Sequence, residues 1–451
     1  MKKFFQTIRN IWKIEDLRTR ILNTILLLMI YRLGTFVVLP GIDPNMLEQL
    51  QSQGNQGIFG LINMFAGGAF SRASIFALGI MPYISASIVI QLLTVAVPAF
   101  QKMQKEGEDG RRKMNQITRV LTILITLVQG IGYIINLRNE SGAAIVNDGF
   151  GFMGIAIIIL VAGTMFCMWL GERITDKGLG NGISLIIMVG IVARLPFGLA
   201  AEFDGRLGDT GGGLVVFLLE IAAWLAVILA VIALVQGTRK IPVQYAKRVV
   251  GNRMTSGARS YLPMKVNAAG VMPIIFAQAL LFIPGTIGQF IPETSTTAAG
   301  IVQSFMNPTS LAYTLTTAIL IILFTYFYTA ITYSPNQIAE ELKRNGGFVP
   351  GVKPGKQTAE FIDNILSRIT LPGSFFLALV AIIPSFAMLF NINNEFAQFY
   401  GGTSLLIMVG VVLDTLQQIE SHLLMRQYDG LLQGGAKIKG RVPAGSGATA
   451  I

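Results

Sequence analysis

The sequence predicts an all-α polytopic membrane protein with ten transmembrane helices in two inverted halves of five helices each. Three observations support this prediction. Of the 451 residues, 52% are hydrophobic and only 13% are charged, whereas a soluble domain carries about 25% charged residues. Ten apolar stretches are long enough to cross a bilayer, and the basic residues are concentrated in alternate connections. This composition excludes an ordinary soluble enzyme, a disordered protein and a collagen-like fibre.

The ten apolar stretches are helical in character. A helix needs about 20 residues to cross a hydrocarbon core of about 30 Å, and all ten stretches approach this length. They are apolar throughout, whereas the strands of a membrane barrel alternate apolar and polar residues. The predicted spans are 21–39, 75–97, 117–136, 151–170, 183–200, 213–236, 268–290, 311–333, 370–390 and 402–422.

The basic residues predict the orientation of the spans, because cytosolic connections are enriched in Lys and Arg. They lie in the two termini and in alternate connections, namely 98–119, 171–182, 237–267 and 334–369. The exceptions are Arg32, Arg72, Arg138, Arg194 and Arg206. Both termini are therefore predicted to be cytosolic.

The span count also predicts the domain organisation, since an odd number of spans per half requires an inverted repeat. Residues 1–20 are expected to form a cytosolic amphipathic N-terminus, 21–200 the first half, 213–422 the second half and 423–451 a cytosolic tail. The second span of each half begins similarly, with Gly79-Ile80-Met81-Pro82 and Gly270-Val271-Met272-Pro273. Proline is common in the first turn of helices, so this match also has a chance explanation.

Residues 58–74 are apolar but reach Ser71-Arg72 after about 13 residues, which is too short for a span. Two interpretations remain open. The segment is either a helix at the membrane surface or a re-entrant segment, broken at Gly67-Gly68, that folds back into a central cavity. The second interpretation requires a protein-lined or water-filled space, because irregular backbone is not tolerated against lipid.

Two cytosolic connections are predicted to be docking surfaces. The connection 239–265 carries basic residues and no acidic residue, so it must face solvent or an anionic partner. A topology signal is the alternative, although topology alone requires only a few charges near the helix ends. The connection 334–369 has amphipathic stretches on both sides of a tip rich in Gly and Pro, and long loops of this kind are usually functional.

Arg32, Glu220 and Asp414 fall within predicted spans, where ionisable groups are costly and mark functional sites. A secondary transporter that couples to protons through Glu220 or Asp414 is therefore a competing hypothesis. Against it, no two carboxylates are expected to share a site. The sequence lacks a GxxxxGK phosphate loop, an HExxH zinc motif and a GxSxG elbow, and it has one Cys and one His. We expect no enzymatic activity, no metal site and no cofactor.

Several longer motifs are more specific than these patterns. They are GGAFSRAS at 67–74, ALGIMPYISAS at 77–87, GEDGRR at 107–112, MWLGE at 168–172, GNGIS at 180–184 and GGTS at 401–404. On these motifs the chain, from about residue 15 to 441, resembles the SecY family, which forms the central subunit of the bacterial Sec protein translocase. The resemblance implies a clamshell of two inverted halves around a central hourglass pore, with a re-entrant plug at about 58–72.

The resemblance also implies the site residues, each matched through its motif. The pore ring comprises Ile80, Ile84, Ile183, Ile187, Ile275 and Ile407. The plug includes Phe59, Leu61, Ile62, Met64, Phe65, Gly67, Gly68 and Arg72. The lateral gate includes Ser85, Gln91 and Phe282. Docking of partners is expected at Lys247, Arg248, Arg253, Arg259 and Lys353. For the isoleucines, contact with lipid or an ordinary core is the alternative.

The function implied by the resemblance is a protein-conducting channel that passes unfolded secretory polypeptides across the bacterial inner membrane. Such a channel releases transmembrane segments sideways into lipid and is driven by the SecA motor ATPase or the ribosome. Implied partners are SecE, SecG, signal-sequence-bearing polypeptides, anionic lipids, YidC and SecDF. Two positions depart from the family pattern. Lys353 stands where Arg is expected and loses the bidentate geometry of a guanidinium, and the ending after Arg441 is unfamiliar.

Overall fold

The computed structural model describes most of the chain. The described residues are 12, 14–43, 63, 66–141, 145, 150–208, 213–245, 249–250, 253–254, 259–267, 269–288, 304, 307, 310–390 and 392–433. Each of the ten predicted spans corresponds to a helix within this part of the chain. The ends of the predicted N-terminus and C-terminal tail, 1–11 and 434–451, lie outside it.

Among its described residues, the first half contains six helices. They are α1 (Glu15–Gly34), α2 (Met81–Ala96), α3 (Pro98–Lys105), α4 (Glu108–Ser141), α5 (Phe150–Lys177) and α6 (Gly182–Leu207). Helices α2 and α3 meet at Val97, where the extended backbone and the following Pro98 end one helix and begin the next.

In the part of the second half that the structure describes there are seven helices and five strands. The helices are α7 (Gly213–Gln236), α8 (Met272–Gly288), α9 (Leu311–Thr332), α10 (Pro335–Arg344), α11 (Lys356–Leu389), α12 (Asn394–Ala397) and α13 (Gly402–Gln433). The strands are β1 (Thr238–Tyr245), β2 (Val249–Val250), β3 (Arg253–Met254), β4 (Arg259–Lys265) and β5 (Gly347–Phe348).

Length and composition identify seven candidate spans among the described helices, and α2 with α3 forms a bent eighth. Of the two remaining predicted spans, α1 carries charges at both ends and α8 has only 17 residues. Some predicted helix boundaries were wrong. Helix α4 begins at 108 instead of 117 and α11 at 356 instead of 370, because these helices continue beyond the apolar segment into polar sequence.

The packing of the helices repeats between the two halves. In the first half, α1 packs on α5 and α6, α2 on α4, and α5 on α4 and α6. In the second half, α7 packs on α11 and α13, α8 on α9, and α11 on α9 and α13. These are the same pairings between equivalent helices, as expected for an internal repeat of five spans. The halves meet mainly where α6 packs on α7, α12 and α13.

The two long connections predicted to be cytosolic form one structural unit. Strand β1 pairs antiparallel with β4 and, on its other edge, with β5. Side chains from the strands and from α10 and α11 bury a common apolar cluster that includes Ile241, Val243, Leu342 and Ile362. This sheet was not among the elements predicted from the sequence. Pairing of β1 with β5 fixes the second connection against the first.

Candidate functional site

The six isoleucines predicted for the pore ring lie in a single hydrophobic cluster. Three members are at most 5% exposed, and the other three are half-buried and pack against the same cluster. The buried members are Ile80, Ile187 and Ile407, and the half-buried members are Ile84, Ile183 and Ile275. They are contributed by α2, α6, α8 and α13, and therefore by both halves. Branched apolar side chains from four helices thus meet in one cluster.

The backbone at the start of α2 and α8 shows how the chain turns into these two helices. Gly79 and Gly270 have φ of +53° and +65°, each two residues before its helix begins. Glycine adopts this conformation without the strain that a Cβ would cause. Pro82 and Pro273 then occupy the first turn, where no backbone N–H is needed. The paired motif therefore marks the same sharp turn in both halves.

The described part of the predicted plug is a buried turn. Gly67 and Gly68 are buried and Arg72 is half-buried. Arg32 on α1 donates from Nη1 to the carbonyl of Gly67 at 2.8 Å. The guanidinium groups of Arg32 and Arg72 lie 5.1 and 4.5 Å from the ring centroid of Phe36, within the range of cation–π attraction. Arg32, an unexplained intramembrane charge in the sequence, therefore holds this turn.

Further hydrogen bonds fix the turn within the first half. The side-chain oxygen of Asn63 accepts from the backbone N–H and the hydroxyl of Ser71 at 3.0 and 2.9 Å. The hydroxyl of Tyr133 donates to the carbonyl of Phe70 at 2.8 Å. Burial of this turn favours the re-entrant interpretation over a helix at the membrane surface. The remaining predicted plug residues lie outside the described residues: Phe59, Leu61, Ile62, Met64 and Phe65.

The predicted lateral gate lies where α2 faces α8. Ile88 of α2 and Ile274 of α8 belong to the same apolar cluster. The hydroxyl of Ser85 donates to a backbone carbonyl of its own helix at 3.2 Å. Gln91 Oε1 is buried and accepts no hydrogen bond from the described residues. Phe282 lies on α8. The apolar cluster therefore joins α2 to α8, and α2 also carries one buried, unsatisfied polar atom.

The predicted docking residues lie on the sheet and its connections. Arg253 and Arg259 lie on β3 and β4. Lys353 is exposed at the tip between β5 and α11, and its carbonyl accepts the hydroxyl of Thr358 at 2.9 Å. Lys247 and Arg248 lie outside the described residues. The β1–β4–β5 sheet therefore brings Arg259 and Lys353 onto one scaffold.

The expectation that no two carboxylates share a site was wrong. Arg206 donates from Nε to Glu202 at 2.8 Å and pairs through Nη2 with Glu220 at 2.6 Å. The side chains of Glu202 and Glu220 are 3% and 10% exposed. Two buried carboxylates from α6 and α7 thus flank one guanidinium. Asp414, the other predicted intramembrane acid, is exposed on α13.

Comparison with known proteins identifies the family. The family model described as SecY matches residues 74–416. The chain is 46% identical over 436 residues to a protein translocase subunit SecY from Halalkalibacterium halodurans, covering 95% of this chain and 100% of the relative. It is 42% identical over 433 residues to one from Streptomyces galbus, covering 94% of this chain and 98% of the relative. The chain belongs to the SecY family.

Solved structures agree with the SecY assignment at the level of the fold. A protein-conducting channel superposes with a TM-score of 0.62 at 17% identity, covering 93% of this chain and 95% of that chain. A SecY structure in which the plug domain stabilises the closed state and maintains a membrane seal gives a TM-score of 0.61 at 16% identity, with the same coverage. The ten-helix channel architecture is therefore the fold of this SecY-family chain.

Proposed function

We propose that this chain forms the pore of a channel that passes unfolded secretory polypeptides across the bacterial inner membrane. One observation carries the proposal, namely that isoleucines from four helices and both halves lie in one cluster. A ring of branched apolar side chains can pack around a passing polypeptide and close when it leaves, so that the constriction dewets and ions do not cross. The ring then consists of Ile80, Ile84, Ile183, Ile187, Ile275 and Ile407.

The plug in this proposal is the segment 58–72, which seals the outer side of the resting ring. The buried turn at Gly67-Gly68 and its hydrogen bond from Arg32 support this role. A passing polypeptide has to displace the turn, because turn and ring belong to the same central region. Hydrogen bonds from Arg32 and Tyr133 and the ring contact of Phe70 with Tyr133 hold the turn, and displacement of the turn breaks these contacts without unfolding a membrane-spanning helix.

The lateral gate in this proposal lies between α2 and α8, and transmembrane segments leave the channel through it. An incoming apolar helix can replace Ile88 in the apolar cluster that this residue shares with Ile274 of α8. Gln91 supports this role because its buried Oε1 is unsatisfied within the described structure, and such a group costs about 1–3 kcal/mol. The closed gate is therefore less stable than an apolar contact of the same shape.

Docking of a motor or ribosome takes place, in this proposal, on the basic connections that carry Arg253, Arg259 and Lys353. Their sheet provides a rigid base, and the acid-free segment 239–265 suits an acidic protein surface or ribosomal RNA phosphates. A structural relative has been solved in the canine ribosome–channel complex from the endoplasmic reticulum. For this chain we propose SecA, the ribosome, SecE, SecG, YidC and SecDF as partners, with both termini cytosolic and anionic lipids at the basic face.

The test is a site-specific photocrosslink to a stalled secretory precursor in native membranes. Photoreactive residues are placed at Ile84 and Ile187, on two different helices of the ring. The control is Ile158, which is 70% exposed on α5. We expect both ring positions to crosslink to the mature part of the precursor and the control to remain uncrosslinked. An engaged precursor without crosslinks at either ring position would place the polypeptide path elsewhere.

A further inference from the structure

Helix α6 carries a row of glycines and charged residues spaced four apart. The row is Gly190, Arg194, Gly198, Glu202 and Arg206. Residues four apart lie on the same face of an α-helix, so the row runs along α6 towards its C-terminal end. Each glycine of the row packs closely against a segment outside α6, and each charged residue forms a hydrogen bond or an ion pair with one. The row is therefore a continuous contact surface that the sequence does not otherwise reveal.

The first part of the row lies against the plug turn. A Cβ added at Gly67 would come within 3.0 Å of the Cα of Gly190, and one added at Gly68 within 3.5 Å of Nε of Arg194. Gly67 and Gly68 also have φ of +64° and +86°, which disfavours any other residue. The guanidinium of Arg194 thus lies in close contact with the turn that is proposed to seal the channel.

The same guanidinium binds the second half of the molecule. Arg194 donates from Nη1 to Oε1 of Glu395 at 3.1 Å, and Glu395 lies on α12, between α11 and α13. The side chains of Arg194 and Glu395 are 20% and 35% exposed. The contact is therefore better shielded than a surface ion pair, whose strength solvent and salt reduce.

Neighbouring members of the row hold α12 in place for this contact. A Cβ added at Gly198 would lie 3.5 Å from the backbone of Glu395 and Phe396, so only a small residue allows α12 to approach so closely. The carboxylate of Glu202 accepts the backbone N–H of Asn393 at 2.7 Å. The position of Glu395 is therefore fixed by backbone contacts on both sides.

We propose that Arg194 is a positioning residue for the plug and couples it to the arrangement of the two halves. The ion pair with Glu395 holds the guanidinium against Gly68 while α12 remains seated on α6. Movement of the second half away from α6 breaks the pair and removes the support of the turn. This proposal rests on the proposed function. Arg32 also lies in the first half, but its contacts with Gly67 and Phe36 lie in that half as well, so they do not respond directly to movement of the second half.

The experiment measures the resting ion leak of proteoliposomes that contain the full chain with its co-purifying membrane subunits. Leak is followed with an entrapped chloride-sensitive dye and no precursor present. The variants are Glu395→Gln, Arg194→Glu and the charge-exchanged double variant Arg194→Glu with Glu395→Arg. The matched control is Glu420→Gln on α13, where the glutamate is exposed.

Loss of one charge-assisted hydrogen bond should raise the leak about five- to tenfold in Glu395→Gln. Arg194→Glu should leak more, because it places a carboxylate next to Glu395. The double variant should return to within about twofold of the unmodified chain, since exchange of the charges restores the pair. Glu420→Gln should not change the leak.

Unchanged leak in both single variants would overturn the proposal. A double variant that leaks as much as Arg194→Glu would also overturn it, because the loss would then not depend on the pairing of charges. If Arg194→Glu fails to fold, the leak of Glu395→Gln and of the double variant still tests whether the ion pair supports the turn. The Ile187 photocrosslink on the same preparations separates the two proposals. Crosslinks without any change in leak would contradict only the proposed role of Arg194. Absence of crosslinks in the unmodified chain would contradict the proposed channel function.

Discussion

Replacement of Arg206 by Met should be one of the most destabilising single substitutions outside the apolar core. Arg206 is the one basic group bonded to both Glu202 and Glu220 among the described residues. Met preserves much of the apolar stem but removes the guanidinium. Both carboxylates then remain buried without their positive partner, and neither can move to water without separating α6 from α7.

The magnitude follows from the burial of the partners. The three side chains are 14%, 3% and 10% exposed for Arg206, Glu202 and Glu220. Removing one partner from a buried ion pair costs about 3–5 kcal/mol, mostly from the uncompensated charge left behind. With an unfolding entropy of about 2.1 cal/mol/K per residue, a loss in the middle of this range lowers the Tm by about 4 °C.

Arg119→Met provides the matched control. Arg119 binds both oxygens of Glu172 at 2.9 and 2.7 Å, which is good geometry. However, the side chains of this pair are 47% and 31% exposed, and exposed pairs contribute about 0–1 kcal/mol. Arg119→Met should therefore lower the Tm by about 1 °C or less. Comparison of the two Arg→Met variants therefore shows whether burial or hydrogen-bond geometry determines the loss of stability.

The assay is thermal unfolding of the purified complex in detergent at one fixed scan rate. The triple variant, in which Glu202→Gln and Glu220→Gln accompany Arg206→Met, should regain a good part of the lost Tm, because Gln carries no charge and its carbonyl can still accept the N–H of Asn393. A Tm for Arg206→Met that equals that of Arg119→Met would refute the reasoning. A triple variant no more stable than Arg206→Met would do so as well.

Four further predictions test the plug, a turn, the gate and the docking tip. Deletion of 60–70 should make proteoliposomes leak chloride, and a membrane as tight as before would contradict the plug assignment. Gly79→Ala should lower stability by about 1–2 kcal/mol because of its positive φ, whereas Gly132→Ala, with open space at its Cβ, should not. Gln91→Leu should stabilise the closed gate and reduce export of precursors with weakly apolar signal sequences. Lys353→Arg should tighten motor binding in salt-dependent titrations.

The positions of the membrane-spanning helices could be predicted because each must satisfy its own backbone hydrogen bonds in lipid. Apolar length and composition therefore locate most of them, with α1 and α8 falling short among the described helices. They do not locate the ends of the helices, because α4 and α11 continue as helices into water, where hydropathy gives no signal. The start of α2 at Met81, six residues later than predicted from apolarity, reflects the turn at Gly79.

The cytosolic sheet was missed for a different reason. Strand β5 has only two residues, and β1 pairs with it although Gly347 is distant in the chain. A local signal does exist, since Ile241 and Val243 are buried, whereas Pro242 between them and Lys240 and Gln244 on either side are not. Alternation over so few residues is weak evidence for a strand without knowledge of its partner.

The site residues also divide into those that the sequence revealed and those that it did not. The isoleucines were located through motifs of a resembling family, and the structure places all six in one cluster. Arg194 and Arg206 appeared in the sequence only as exceptions to the distribution of basic residues. Their partners, Glu395 and Glu220, lie on other helices, so no local pattern pairs them. The four-residue spacing of the row on α6 was the available signal, and it indicates a packed polar face rather than a lipid-facing helix.

The distribution of polar contacts determines where the two halves can separate. At the N-terminal end of α6, the backbone N–H of Gly180 donates to Gln418 of α13 at 2.8 Å. At the other end, Glu202 binds Asn393. Both ends of α6 are thus bonded to the second half. On the α2–α8 side, Ile88 and Ile274 are joined by apolar packing. Full separation there loses contacts that lipid or a signal helix can replace, whereas full separation at α6 exposes buried charges. The halves should therefore open most widely between α2 and α8 and pivot about α6. Such a pivot moves α12 relative to α6 and breaks the more exposed Arg194–Glu395 pair first.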